Sequence, residues 1–300
     1  MSKAENKKKK KNLWMLLASL LIFAVGAGIF LYPAVSNYLA ERNQRKVIRS
    51  YRAAVENQDQ GTLDAAWAEA EEYNENLAGD PVHDPFVLGS GYVLPDNYQE
   101  VLNVNGDGVM GYIEIPKIGV YLPIYHGTSE ETLQKGAGHL EATALPVGGL
   151  NRHPVISAHR GLPSAELFTR LDEMKIGDIF YIHVLDRTLA YQVDQIETIV
   201  PEDLAFLRAE EGKDLVTLLT CTPYAVNTHR LLVRGERIPY EEDAGLSETE
   251  TVVEADHSWF KEYRLAIFLG LAALVILILA VLLGRRAVKR RKRRGRGKKG

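Results

Sequence analysis

Two apolar runs bracket a long patterned middle. Leu13 to Tyr32 and Leu265 to Gly284 each run twenty residues without a charge. At 1.5 Å of rise per residue, about twenty helical residues cross a hydrocarbon core of about 30 Å. Two transmembrane helices are therefore expected, over residues 13–35 and 263–284. From Glu41 to about Ala78 the spacing changes: Leu63, Ala66, Trp67, Ala70, Tyr73 and Leu77 recur at three- and four-residue steps. This predicts one or two amphipathic helices, with Gly61-Thr62 as the cap before the stripe. Gly79-Asp80-Pro81 ends the pattern, and the stretch to Gly108, rich in Gly, Pro, Asn and Asp, reads as a long loop. Residues 36–108 are thus assigned to a helical extension and its loop.

Beyond Gly111 the runs become short and β-like: Tyr112–Ile115, Val120–Tyr125, Pro154–Ser157, Ile179–Val184, Leu189–Val193, Leu215–Thr220 and Leu231–Arg237, each bounded by Gly, Pro, Asp or Asn. Short helical pieces fit at Glu130–Gln134, Ala165–Leu171 and Pro201–Leu207. Seven or eight short strands with few helices predict a mainly β fold, a closed barrel of about eight strands over residues 109–240. Residues 241–262, polar and acidic from Ser247 to Asp256, read as a tether to the second span.

Charge sharpens this organisation. The net charge of -3 resembles an ordinary soluble surface, yet residues 1–12 hold six Lys against one Glu, and residues 285–300 hold eleven bases and no acid. The middle, Glu41 to Arg264, holds 19 bases and 38 acids. Lys and Arg remain on the cytoplasmic side of the segments they flank, so both termini are expected inside the cell membrane and the middle outside. A cleaved signal peptide is the competing reading of the N-terminus, but its apolar run exceeds the usual length and no small-x-small cleavage site follows it. The basic C-terminal tail directly follows a spanning segment and fits a stop-transfer signal facing anionic lipid. The acidic middle argues against nucleic acid as a partner.

The middle carries one cysteine, Cys221, so no intrachain disulfide can form. A lone buried Cys is usually a small apolar side chain, but Cys221 ends an apolar strand and precedes the turn signal Thr222-Pro223-Tyr224, a setting expected to leave it partly exposed. A thiol needs a base or a cation to react near neutral pH. Of eight histidines, His159 follows the apolar run Val155-Ile156-Ser157-Ala158 and precedes Arg160-Gly161, the same strand-end setting; His229, beside Arg230, is its rival. HExxH and CxxC spacings are absent, so no metal site is expected, and the chemistry needs no cofactor.

These residues carry a resemblance. Thr217-Leu218-Leu219-Thr220-Cys221 matches the TLxTC signature of sortases, and Val155–Pro163 with Thr228–Gly235 resembles the surroundings of that family's catalytic His and Arg. The similarity extends from Asp84 to Tyr240. One departure is Ala225, where relatives often carry Gly. The resemblance implies Cys221 as nucleophile, His159 as acid/base and Arg230 as the cation that holds the substrate backbone and opposes the oxyanion. Thr220 would contact the bound peptide. Asp84-Pro85-Phe86 is similar to the Asp-Pro-aromatic lid of class C sortases, the pilin polymerases of Gram-positive bacteria, with Asp84 approaching Arg230 and Phe86 covering the thiol. The implied reaction cleaves an LPxTG-type sorting signal between Thr and Gly and joins pilin subunits through a Lys isopeptide bond. The alternatives are a sortase that anchors surface proteins to peptidoglycan and, from another class, a non-enzymatic membrane-anchored receptor or scaffold.

Overall fold

The structure, a computed structural model, describes residues 3–77, 96–240 and Gly270. The expected lid residues Asp84 and Phe86, the tether and the second span lie outside the described residues.

Helix α1 (Lys3–Glu56) runs unbroken through Pro33, joining the expected membrane span and the first part of the helical extension into one element. Among the described residues it is the one helix long and apolar enough to cross a membrane, by length and composition. Helix α2 (Gln60–Asn76) follows. Its cap is Asp59 and not the expected Gly61-Thr62: the Asp59 carboxylate accepts from the backbone N–H and hydroxyl of Thr62, as a short acidic side chain does at a helix start. The apolar stripe is as expected, with Leu63, Trp67, Ala70 and Tyr73 buried.

Eight strands follow: β1 (Val109–Ile115), β2 (Val120–His126), β3 (Ala137–His139), β4 (Val155–Ser157), β5 (Ile179–Val184), β6 (Arg187–Ile199), β7 (Leu215–Thr222) and β8 (His229–Ile238). They close into a barrel in the order β1-β2-β3-β4-β7-β8-β6-β5, so the expected fold class holds. Helix α3 (Glu130–Lys135) is the expected short helix after β2. The other two helical expectations reduce to single 3-10 turns, Leu171–Glu173 and Ala205–Leu207, neither of which has the side-chain cap that Ser129 gives α3.

Two features matter for the site. Strand β7 is buried along almost its whole length and is hydrogen-bonded on one side to β4, in parallel, and on the other to β8, antiparallel. A continuous apolar run, Leu-Val-Thr-Leu-Leu, is what a strand covered on both faces requires. Alternation along it sends Val216 and Leu218 into the main core, while Leu219 joins Leu140, Val155, Leu207 and Leu232 in a second cluster on the opposite face. Helix α1 is bound to the barrel by Tyr51, buried, whose hydroxyl donates to the Met110 carbonyl and accepts from the Leu185 N–H.

Candidate active site

Strand pairing brings the three candidate residues to one place. In the β7–β8 ladder Cys221 stands directly opposite Arg230, and residues directly opposite in an antiparallel pair project from the same face. In the parallel β4–β7 ladder the last pair is Ser157 with Leu219, and the Ala158 N–H continues it onto the Leu219 carbonyl. His159 follows two residues after Ser157, as Cys221 follows two after Leu219. By alternation, Cys221 and Arg230 share the face of Leu219 and Leu232, while Thr220 and Leu231 belong to the core face; His159 lies two residues beyond the end of β4, where the chain continues beside Cys221. His229, the rival base, pairs with Thr222 one step away from the Cys221–Arg230 pair and is turned by alternation to the other face; its ring bonds to the Thr228 hydroxyl.

Cys221 is 7% exposed, more enclosed than a strand end suggests, because β7 lies inside the wall with a hydrogen-bonded strand on each side. Arg230 is buried too, and its guanidinium donates to the carbonyls of Asn227 and His229 at 3.2 and 3.1 Å. Those bonds fix the guanidinium on the face of the thiol. His159 is largely buried, with Nε2 3.7 Å from a carboxylate oxygen of Glu130 in the first turn of α3. Burial pushes the His159 imidazole below its ordinary range, while the Glu130 charge pulls it upward.

Thr220, the expected substrate contact, has an intramolecular partner. Its side chain is fully buried on the core face, and its hydroxyl donates to the Ala158 carbonyl at 2.7 Å. On the other side of the pair, Arg160 donates to the Thr222 hydroxyl at 3.0 Å, to the Thr169 carbonyl and to Asp172. The residues flanking Cys221 are thus each bonded to a residue flanking His159. Sequence reasoning missed Arg160, Thr222 and Glu130. Arg160 could have been suspected from its place beside His159; Glu130 left no signal, since only the folded chain brings α3 to the histidine.

After Cys221 the chain turns through Ala225 and Asn227, both in left-handed backbone (φ +63° and +61°), with the N–H groups of Val226 and Asn227 bonded to the Pro223 carbonyl. Such a φ favours glycine, yet this chain places Ala225 there.

An enclosed thiol with a fixed guanidinium on its sheet face, and an imidazole just beyond the neighbouring strand, suit acyl transfer through a thioester: thiolate attack, proton donation to the leaving amine and opposition to the oxyanion. The comparisons agree with that chemistry. The Sortase domain family matches residues 113–238. A solved Sortase C of Streptococcus pneumoniae is 52% identical, with a TM-score of 0.61 over 65% of this chain and 97% of the solved one. Sortase C-1 of Actinomyces oris is 47% identical, with a TM-score of 0.57 over 59% of this chain and 99% of its own. Sortase A of Bacillus anthracis is 23% identical over 74% of this chain and 93% of its length.

Proposed function

Because the chain belongs to the sortase family, and within it to class C, we propose that it is a membrane-anchored cysteine transpeptidase that polymerises pilin subunits. What supports this reading is the Cys221–Arg230 pair of the β7–β8 register, beside which the Ala158–Leu219 and Thr220–Ala158 bonds hold the chain leading to His159. The pilin assignment draws on the solved Streptococcus pneumoniae Sortase C, which is described with pilin substrate specificity.

In this reading the Cys221 thiolate attacks the carbonyl between Thr and Gly of an LPxTG-type signal. Arg230 opposes the charge that develops on the carbonyl oxygen. His159, as imidazolium, gives its proton to the departing glycine amine, leaving a thioester on Cys221. The Lys amine of a second pilin then attacks the thioester, His159 takes a proton from it, and the isopeptide bond forms as the thiolate departs. Water competes with that amine. By its likeness to the class C lid motif, the Asp84-Pro85-Phe86 segment is assigned in this reading to excluding that water. Helix α1 anchors the enzyme, and the second apolar run over residues 263–284 returns the chain to the cytoplasm, leaving the barrel outside.

Replacing Cys221 with Ala tests the reading. The variant is expected to form neither a trapped thioester with a sorting peptide nor pilin ladders in cells; ladders from the variant would refute the reading. Transfer to the cell-wall cross-bridge amine in place of a pilin Lys would reassign the enzyme to surface-protein anchoring.

A further inference from the structure

Helix α1 presents exposed apolar side chains from Leu21 through Ile29, Phe30, Tyr32 and Val35 to Tyr38 and Leu39, before the charges that follow this run, Glu41 and Arg42. The barrel meets the helix within this band. The Ser36 hydroxyl lies 3.1 Å from the Pro163 carbonyl as well as near those of Tyr32 and Pro33, and the Asn37 side-chain oxygen accepts from the Glu166 N–H at 2.8 Å. Tyr38 and Leu39 lie further along the chain than these contacts, at about 1.5 Å of helix rise per residue. The loop that follows His159 is therefore level with apolar surface on the helix.

A second loop joins it. Gly161 sits against Tyr224, so closely that a Cβ there would lie 3.0 Å from the ring. Tyr224 is 55% exposed and its neighbour Val226 62% exposed. Residues 161–165 and 222–228 carry no charge at all, in an exported segment with 38 acids. Exposed Tyr and aliphatic side chains without charge, level with the end of an apolar helical band, have the composition of a membrane–water interface.

We infer that the two loops beside the catalytic pair, 161–165 and 222–228, rest in the lipid headgroup layer, so that the site opens at the bilayer surface. The inference depends on the reading of α1 as a membrane anchor. Its consequence is that a substrate still held in the membrane meets Cys221 without leaving the lipid surface, and Tyr224 and Val226 contribute to function by orientation and not by chemistry.

The test uses the full chain in phosphatidylcholine/phosphatidylglycerol vesicles. With Cys221→Ala no thiol remains, so single cysteines carrying an environment-sensitive fluorophore can be introduced at Ile22, Val226 and Leu150. Leu150 is 67% exposed and adjoins Asn151, which bonds to Lys213 just before β7, at the end of that strand away from Cys221. Lipids bearing nitroxides at shallow or deep positions then report depth. The expected pattern is deep quenching at Ile22, shallow quenching at Val226 severalfold above that at Leu150, and little at Leu150. Quenching at Ile22 with Val226 no different from Leu150 overturns the inference and leaves the anchor intact. Absence of quenching at Ile22 overturns the anchor reading and this inference with it. A Val226 probe that stays in water on vesicles and is shielded only by added pilin assigns the patch to a protein and also overturns it.

Discussion

The Thr220 hydroxyl is donated to the Ala158 carbonyl at 2.7 Å, so the residue before the candidate nucleophile holds the residue before the candidate base. The bond crosses the β4–β7 seam on the core face, opposite the face from which Cys221 projects. It sets where the histidine strand ends relative to the thiol. Thr220→Val keeps the shape and removes the donor, leaving a buried carbonyl without it, a loss of about 1–3 kcal/mol. The expected outcome is a fall in kcat for sorting-peptide cleavage with KM little changed, and recovery in Thr220→Ser. A rise in KM alone would return Thr220 to the role of a substrate contact.

A second prediction concerns pH. Glu130 raises the affinity of His159 for its proton, against the opposing effect of burial. Glu130→Gln removes the raising influence, so the His159-linked limb of the kcat/KM profile is expected to move to lower pH. Less imidazolium is then present at neutral pH to protonate the leaving amine. Glu130 is 69% exposed, and exposed pairs are worth about 0.2–1 kcal/mol, so the loss of rate near pH 7 is about fivefold at most. It shrinks as salt rises, because surface charges are screened. An unchanged profile in low salt would remove Glu130 from the mechanism.

The parts of this molecule that were legible in sequence are those whose signal is local. Strand β5 (Ile179–Val184) was bounded as observed, since alternation and flanking turns mark its ends. Strand β3 was missed because Ala137-Gly138-His139 has neither length nor pattern; its pairing with β2 and β4 makes it a strand. The segments 165–171 and 201–207 resemble short helices in sequence, but burial, not periodicity, fixes where Phe168, Leu171 and Leu207 lie. Within the site, Cys221, His159 and Arg230 sit in recognisable strand-end motifs. The actual bonds of Thr220, Arg160 and Glu130 depend on register between distant segments, and single-residue spacing does not carry register.

Ala225 offers a prediction of stability. Its φ of +63° is a conformation that costs an L-residue about 1–2 kcal/mol, and Ala225 is exposed, with no burial to offset the cost. Ala225→Gly relieves the strain but gives the unfolded chain more freedom, worth about 0.4–1 kcal/mol in the other direction. The net expectation is a gain of about 0.5–1 kcal/mol, read as a raised Tm of the detergent-solubilised chain. A lowered Tm would mean that the Ala225 methyl contributes packing that outweighs its backbone cost.

The last prediction is acid sensitivity from His139. This ring is fully buried, and burial pushes it down to about 4 from an ordinary 6.5. Its hydrogen bonds fit the neutral form. Nε2 lies 2.8 Å from the Ala144 carbonyl, which can only accept, so Nε2 carries the proton, and Nδ1 accepts from the Tyr98 hydroxyl at 2.9 Å. The folded state therefore resists a proton that the unfolded chain takes up. Stability from this group is fully present above about pH 6.5 and is lost as the pH falls towards 4, by about 1.4 kcal/mol per pH unit and about 3 kcal/mol at most. Urea unfolding at pH 7, 6 and 5 would show the decline. His139→Gln, which cannot titrate, is expected to be less stable at pH 7 and to lose less on acidification than the parent. A parallel decline in both proteins would place the acid sensitivity elsewhere in the fold.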